Sequence, residues 1–278
     1  LMAGQGQVPS RQAAVNAGIP MNVPAINVNK VCLSGLNSIY LANQMIATGE
    51  ADIVVAGGME SMSNAPYLAD GARSGFRYGN TELRDAIIAD GLWCAFDACL
   101  MGLGTDRYTG DSITREQQDE FAVASQNKAE AAQKAGRFAD EIFAYTVPGR
   151  KGDTIVDADE YIRHGATMDA MAKLRPAFAK DGSVTAANAS GLNDGAAGAL
   201  LMSAENAEKR GIEPLARIAS YATVGLDPTI MGAGPIYASR KALEKAGWKP
   251  QDLDLVEANE AFAAQACAVN KDMGWDPA

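Results

Sequence analysis

Apolar positions along this chain alternate between helical and strand spacing. Leu36, Ile39, Tyr40, Asn43, Ile46 and Ala47 fall on one helical face, and Gly49 follows as a stop. Before them, Ala25-Ile26-Asn27-Val28 reads as a strand; after them, Ala51-Asp52-Ile53-Val54-Val55-Ala56 has the apolar content of a buried parallel strand, ended by Gly57-Gly58. Residues 62–192 lose this rhythm, with frequent glycine and weak strands. One strong helix interrupts them: Thr114-Arg115-Glu116-Gln117 is a capping box, Ala-rich residues 117–135 follow, and Gly136 stops the run. Order returns with a strand at Ala199-Leu200-Leu201-Met202 and a short polar helix ending at Gly211. A strand over 215–224, a helix opened by Pro235 and closed by Gly247, and a strand at Leu253-Asp254-Leu255-Val256-Glu257 come next. A helix starting at Asn259 and running to Met273 completes the pattern. Helices alternating with buried strands predict an α/β fold with a covered sheet.

The junction at Cys32 carries the first chemical suggestion. The pattern puts this cysteine where a strand gives way to the first turn of a helix, and unpaired N–H groups there favour thiolate over thiol. The small neighbours Ser34 and Gly35 leave room for a carbonyl to approach the backbone. A lone cysteine in an apolar stretch is also an ordinary packing residue, so position alone leaves both readings open. A second strand-to-helix junction carries the polar Asn259.

Composition narrows the classes. Of 278 residues, 47% are hydrophobic, which suffices for one large or two ordinary domains. The formal net charge of −10 argues against nucleic-acid binding. No apolar run is long enough to span a bilayer. Cys32, Cys94, Cys99 and Cys267 follow neither a disulfide framework nor a zinc module, so no metal site is expected and a cytoplasmic setting is. Against the acidic background, Arg163, Lys173, Arg175 and Lys180 cluster with only Asp169 opposing them. Such a stretch either holds a small polyanion or is a solvated face. Leu1 is not an initiator, and the final segment ends where a strand is expected, so the chain reads as an internal piece of a longer polypeptide.

Taken together, several stretches resemble the thiolase family over the whole chain. They are Val31-Cys32-Leu33-Ser34-Gly35-Leu36, Val54-Val55-Ala56-Gly57-Gly58-Met59-Glu60-Ser61-Met62-Ser63 and Arg163-His164-Gly165-Ala166-Thr167. Further on come Leu174-Arg175-Pro176-Ala177-Phe178, Asn188-Ala189-Ser190-Gly191-Leu192-Asn193-Asp194-Gly195, Met231-Gly232-Ala233-Gly234-Pro235 and Asn259-Glu260-Ala261-Phe262-Ala263. The resemblance implies a layered α/β fold of two similar halves with an inserted loop domain, incomplete at both ends. Residues 1–61 and 193–213 would form the first half, 62–192 the loop domain over coenzyme A, and 214–278 the truncated second half.

The same resemblance implies that two acetyl-CoA condense reversibly to acetoacetyl-CoA and CoA through an acetyl-cysteine. Cys32 would be the nucleophile, and Asn259 would hold a water at the thioester oxygen. Arg163 would lie near the nucleotide end of CoA, with Phe178, Ala186 and Ser190 along the pantetheine. Met101, Met231 and Phe262 would line a small acyl pocket. On residue type alone, packing explains Phe178, Met231 and Phe262 equally well. No cofactor beyond the CoA thioester substrates is implied, and a homo-oligomer, dimer or tetramer, is. Two departures stand out. Leu100 occupies a position where the family has histidine, and the family's Gly-His-Pro and Cys-x-Gly segments find no match. The residues as given are therefore expected to be inactive on their own. A longer-chain 3-ketoacyl-CoA thiolase and a silent CoA-binding fragment remain as alternatives.

Overall fold

The computed structural model describes residues 1–275. The last three residues of the expected second half lie outside them. In chain order the elements are α1 (Pro9–Asn16), α2 (Ser34–Ala47), β1 (Ile53–Ser61), β2 (Tyr67–Leu68), β3 (Arg84–Asp85), β4 (Trp93–Cys94) and β5 (Cys99–Leu100). Then come α3 (Met101–Thr109), α4 (Arg115–Lys134), β6 (Tyr145–Val147), β7 (Thr154–Val156), α5 (Met168–Ala172), β8 (Asp194–Met202), α6 (Ala204–Arg210), α7 (Gly234–Ala246) and α8 (Ala263–Met273). They form two compact units: Leu1–Leu100 with Leu192–Thr223, and Met101–Gly191 with Val224–Ala278. The segment 62–192 is thus divided between them.

In the first unit, β1 and β8 pair antiparallel along their whole length, from Ile53 opposite Met202 to Ser61 opposite Asp194. The parallel pairing expected for β1 is corrected: among the described residues its only ladder partner is β8. Nor do Gly57 and Gly58 end the strand. Gly58 lets α2 come down onto it, because a Cβ there would lie 3.2 Å from the Gly35 Cα, while a Cβ on Gly57 would meet the Ala197 carbonyl oxygen of β8. Ser38 locks the contact, its hydroxyl accepting the Gly57 N–H at 2.9 Å. Side chains alternate across the ladder. Ala56 is buried on the α2 side, whereas Val55, Met59 and Leu200 on the other side are 50–61% exposed.

Three expected strands do not form. Residues 25–28, 215–224 and 253–257 run without ladder hydrogen bonds. A strand forms only where a ladder continues from residue to residue, and none does along these runs. Ile26 and Leu255 are accordingly exposed.

The second unit is helical and better packed. The α4 capping box forms as the sequence predicts, with the Gln117 N–H donating to Thr114 Oγ1 at 3.2 Å and the Thr114 N–H to Gln117 Oε1 at 2.8 Å. Gly136 adopts φ 68° just beyond the helix end. Ala233, Ile236, Leu243, Val269 and Met273 form one apolar cluster, flanked by Tyr108 and Trp275. Ala122, Met171 and Ala263 form a second, against which Phe121 and Ala187 pack. Helix α7 begins with Pro235 in its first turn and ends at Gly247 in the left-handed region, as expected.

Candidate active site

Cys32 lies in the first unit and the other eight candidate residues in the second. Cys32 is exposed. The structure corrects its placement, because α2 begins at Ser34 with Leu33 as its N-cap. Cys32 therefore sits in the turn leading into the helix, two residues ahead of it. That turn is tightly held. The Ser34 hydroxyl accepts the Lys30 N–H at 2.8 Å and donates to the Val31 carbonyl at 2.7 Å. The Leu33 and Ser34 N–H groups donate back to the Lys30 and Val31 carbonyls. Val31 adopts φ 51°, a strained conformation for a β-branched residue, which the surrounding bonds sustain. The result is a thiol presented to solvent on a fixed turn, with the start of a helix directly behind it.

The second unit brings several candidates together. Phe178 and Phe262 meet edge to face with ring centroids 6.3 Å apart. The Phe178 ring lies against the backbone of α3, where a Cβ on Gly102 would stand only 2.1 Å from it; Met101 is the preceding residue. The Ser190 N–H donates to the Ala261 carbonyl at 2.9 Å, and the Ala263 N–H to the Asn188 carbonyl at 2.9 Å. These bonds tie the segment carrying Ala186 and Ser190 to the one carrying Phe262. Ala186 and Ser190 are exposed, and Phe178, Phe262 and Met101 are half-buried. Met231 is exposed on a 3₁₀ turn over Pro228–Ala233. Asn259 is exposed in irregular chain. The expectation that it opens the last helix is corrected, since α8 starts at Ala263 with Phe262 as N-cap.

Arg163 is exposed, its guanidinium 5.9 Å from the centre of the Tyr161 ring. Lys173, Arg175 and Lys180 are exposed too. The loop bearing Arg163 is pinned to α4. The Arg163 N–H donates to Gln126 Oε1 at 2.7 Å, and the Gly165 N–H to Glu130 Oε2 at 2.7 Å. The Lys134 ammonium, and after it the Gly165 N–H, hold the Glu130 carboxyl below the usual carboxylate range.

Residues beyond the sequence candidates fix this arrangement. Asp106 on α3 accepts the N–H groups of Ser183 and Val184 and the Ser183 hydroxyl through one carboxylate oxygen, at 2.7 to 3.0 Å. Its other oxygen is buried with no hydrogen-bond partner. Asn188, 3% exposed, accepts the Thr185 N–H at 2.7 Å and donates to Asp119 at 2.9 Å and to the Ser183 carbonyl at 3.2 Å. Asp119 is paired with Arg115 at 2.7 Å. Asn188 lies within one of the resembling stretches, but no local pattern marks it, or the unpartnered oxygen of half-buried Asp106, as buried. Burial pushes the Cys267 thiol up to about 11, which suits a packed cysteine. Among the described residues no cluster of His, Cys, Asp or Glu has the makings of a metal site, and no helix is long and apolar enough to cross a membrane.

Comparison with known families places the chain. Residues 1–205 match the thiolase N-terminal domain and residues 212–278 the thiolase C-terminal domain. The chain belongs to the thiolase family. Among curated relatives it is similar to the acetyl-CoA acetyltransferase of Shinella zoogloeoides, at 64% identity over 278 residues, covering 100% of this chain and 71% of that protein. The acetyl-CoA acetyltransferase of Rhizobium meliloti (strain 1021) is 63% identical over the whole chain and 70% of its own length. Among solved structures, the acetyl-CoA acetyltransferase of Syntrophomonas wolfei superposes with a TM-score of 0.94 at 41% identity, covering 99% of this chain and 69% of that one.

Proposed function

We propose that this chain performs acyl transfer between CoA thioesters, forming acetoacetyl-CoA from two acetyl-CoA through an acetyl group held on Cys32. The observation that carries the reading is the exposed Cys32 on its fixed turn before α2, within a chain 64% identical along its whole length to an acetyl-CoA acetyltransferase. The Cys32 thiolate attacks the thioester carbonyl, the tetrahedral oxyanion is met by the Cys32 N–H, and CoA leaves as the acyl-enzyme forms. A second acetyl-CoA loses a proton from its methyl carbon. The carbanion attacks the acetyl carbonyl, and Cys32 departs as thiolate. Sulfur suits both steps, being a good nucleophile and a good leaving group.

In this reading Asn259 polarises the enolate oxygen through a water without adding charge. Arg163 faces the nucleotide phosphates, and Phe178, Ala186 and Ser190 accompany the pantetheine. Met101, Met231 and Phe262 bound the acyl group. The aromatic contact of Phe178 with Phe262 and the bond from Ser190 to Ala261 support a shared wall for the last two sets. The reading asks for no resident cofactor, and it places the protein in the cytoplasm as a homo-oligomer.

The Gly-His-Pro and Cys-x-Gly segments of the family supply proton transfer in this scheme. The 278 residues alone are therefore expected to acylate Cys32 slowly, and a polypeptide that also carries those segments rapidly. Intact-mass measurement after incubation with acetyl-CoA follows the acetyl group. Cys32→Ala should abolish acylation in both, and turnover in the longer polypeptide; label on another residue, or turnover surviving that substitution, overturns the proposal. Leu100 favours a second reading, a preference for longer 3-ketoacyl-CoA, which relative turnover on acetoacetyl-CoA and longer substrates decides.

A further inference from the structure

We infer that Cys94 and Cys99 are a reversible redox pair, oxidised to a cross-strand disulfide by a hydroperoxide. The inference is independent of the acyl-transfer chemistry and involves neither Cys32 nor any residue assigned to it. Strands β4 and β5 pair antiparallel with Trp93 opposite Leu100 and Cys94 directly opposite Cys99. Directly opposed residues on such a pair have Cα atoms about 4.5 or 5.5 Å apart and side chains on the same face. Both spacings fall inside the range of about 4.4 to 6.8 Å that a disulfide spans. Both sulfurs also converge on one residue of the connecting turn. The Asp97 N–H donates to Cys94 Sγ at 3.3 Å, and the Cys99 thiol donates to the Asp97 carboxylate at 3.1 Å. Ala98, in the left-handed region at φ 48°, closes the turn.

The two cysteines differ in access, which sets the order of steps. Cys94 is half-buried and Cys99 only 5% exposed. The Cys94 thiolate attacks the outer oxygen of the hydroperoxide; the O–O bond breaks, water or an alcohol leaves, and a sulfenic acid remains on Cys94. The Cys99 sulfur then attacks the Cys94 sulfur. The S–O bond breaks as the S–S bond forms, and hydroxide leaves as water with the proton that the Cys99 thiol held toward Asp97. The peroxide takes up two electrons, one from each sulfur overall. A thiol reductant reverses the change by disulfide exchange. In the reduced state the hairpin has only two residues in each strand, a size that is marginal alone. Oxidation clamps it just ahead of Met101.

The test treats the reduced full chain with hydrogen peroxide, blocks remaining thiols with iodoacetamide, and digests with trypsin. Peptide 85–107 carries both cysteines and should be recovered unalkylated and lighter by two hydrogen atoms than its reduced form. Reduction before alkylation should restore two alkylatable thiols. With Cys99→Ser, the same treatment should stop at a sulfenic acid on Cys94 that dimedone captures. With Cys94→Ser, which alters the more accessible position, the two-hydrogen loss should vanish. The inference fails if the oxidised wild-type peptide still takes two alkyl groups, if it carries sulfinic acid in place of a disulfide, or if either cysteine is found bonded to Cys32 or Cys267.

Discussion

Replacing Asn188 by alanine removes three side-chain hydrogen bonds at one buried point. The Thr185 N–H, buried at 0% exposure, loses its acceptor; the Ser183 carbonyl loses a donor; and Asp119, whose side chain is 3% exposed, loses the amide that shares its charge with Arg115. Each buried group left unsatisfied costs about 1–3 kcal/mol, with the carboxylate toward the upper end. Arg115 still partners Asp119, and some relaxation follows, so the total is about 4 kcal/mol. With a urea dependence near 2 kcal/mol per molar, the unfolding midpoint should fall by about 2 M. Trp248 and Trp275 lie in the second unit and report the transition by fluorescence. Asn188→Asp sharpens the test. It keeps an acceptor for Thr185 but sets a second carboxylate where the amide stood 2.9 Å from Asp119, so it should destabilise more than alanine near neutral pH. That excess should shrink on acidification, as one of the two carboxylates takes up a proton. A midpoint shift for Asn188→Ala corresponding to under about 1 kcal/mol would refute the argument, as would an aspartate variant no worse than alanine at neutral pH.

Three further outcomes follow from other parts of the structure. Gly102→Ala puts a methyl 2.1 Å from the Phe178 ring, so it should cost about 1–3 kcal/mol of stability and weaken acetyl-CoA binding by calorimetry; wild-type values for both would show the ring is free to move. The depressed Glu130 carboxyl contributes hold on the Gly165 loop above its unfolded value and loses it as pH falls through the folded one. Hydrogen exchange at 163–165 should therefore accelerate relative to intrinsic rates below the usual carboxylate range, and Glu130→Gln should remove the pH step. Cys267, raised to about 11 chiefly by burial, should remain thiol near pH 8 and alkylate far more slowly than exposed Cys32; equal rates by peptide mass mapping would contradict the burial.

What was legible in the sequence was local. The Thr114 capping box, the stops at Gly136, Gly211 and Gly247, and the Pro235 start all depend on a few adjacent residues, and all form. Strands depend on distant partners. Residues 215–224 and 253–257 carry strand patterning yet stay irregular. Gly57 and Gly58 read locally as a terminator; only the close approach of β8 to the first and of α2 to the second shows that they serve contact. At the site, the chemistry of Cys32 was readable but its exact seat was not. The Ser34 hydroxyl, bonded back to Lys30 and Val31, closes a turn and delays the helix by two residues. The burial of Asn188 and of one Asp106 oxygen was unreadable because their partners lie up to 69 and 78 residues away, and polar residues ordinarily signal surface.

The same distinction explains where this chain leaves apolar surface. Its accessible area is 19494 Å², whereas two separate compact bodies sharing its mass would expose roughly 14,000 Å². Counting the units separately removes any dependence on how they pack, and a large excess remains. Part of it lies on segments with strand patterning. The outer face of the β1 and β8 ladder presents Val55, Met59 and Leu200, and the irregular runs present Ile26, Leu215 and Leu255. In the second unit, where helices meet helices, Ile236, Val184 and Ala264 are buried to 1% or less. Helices satisfy their own backbone and need only one apolar contact, whereas strands need a hydrogen-bonded neighbour and cover on a face. Exposed apolar side chains with strand patterning lie in both units, Val55, Ile26 and Leu215 in the one that presents Cys32 and Leu255, Tyr145 and Ile155 in the other.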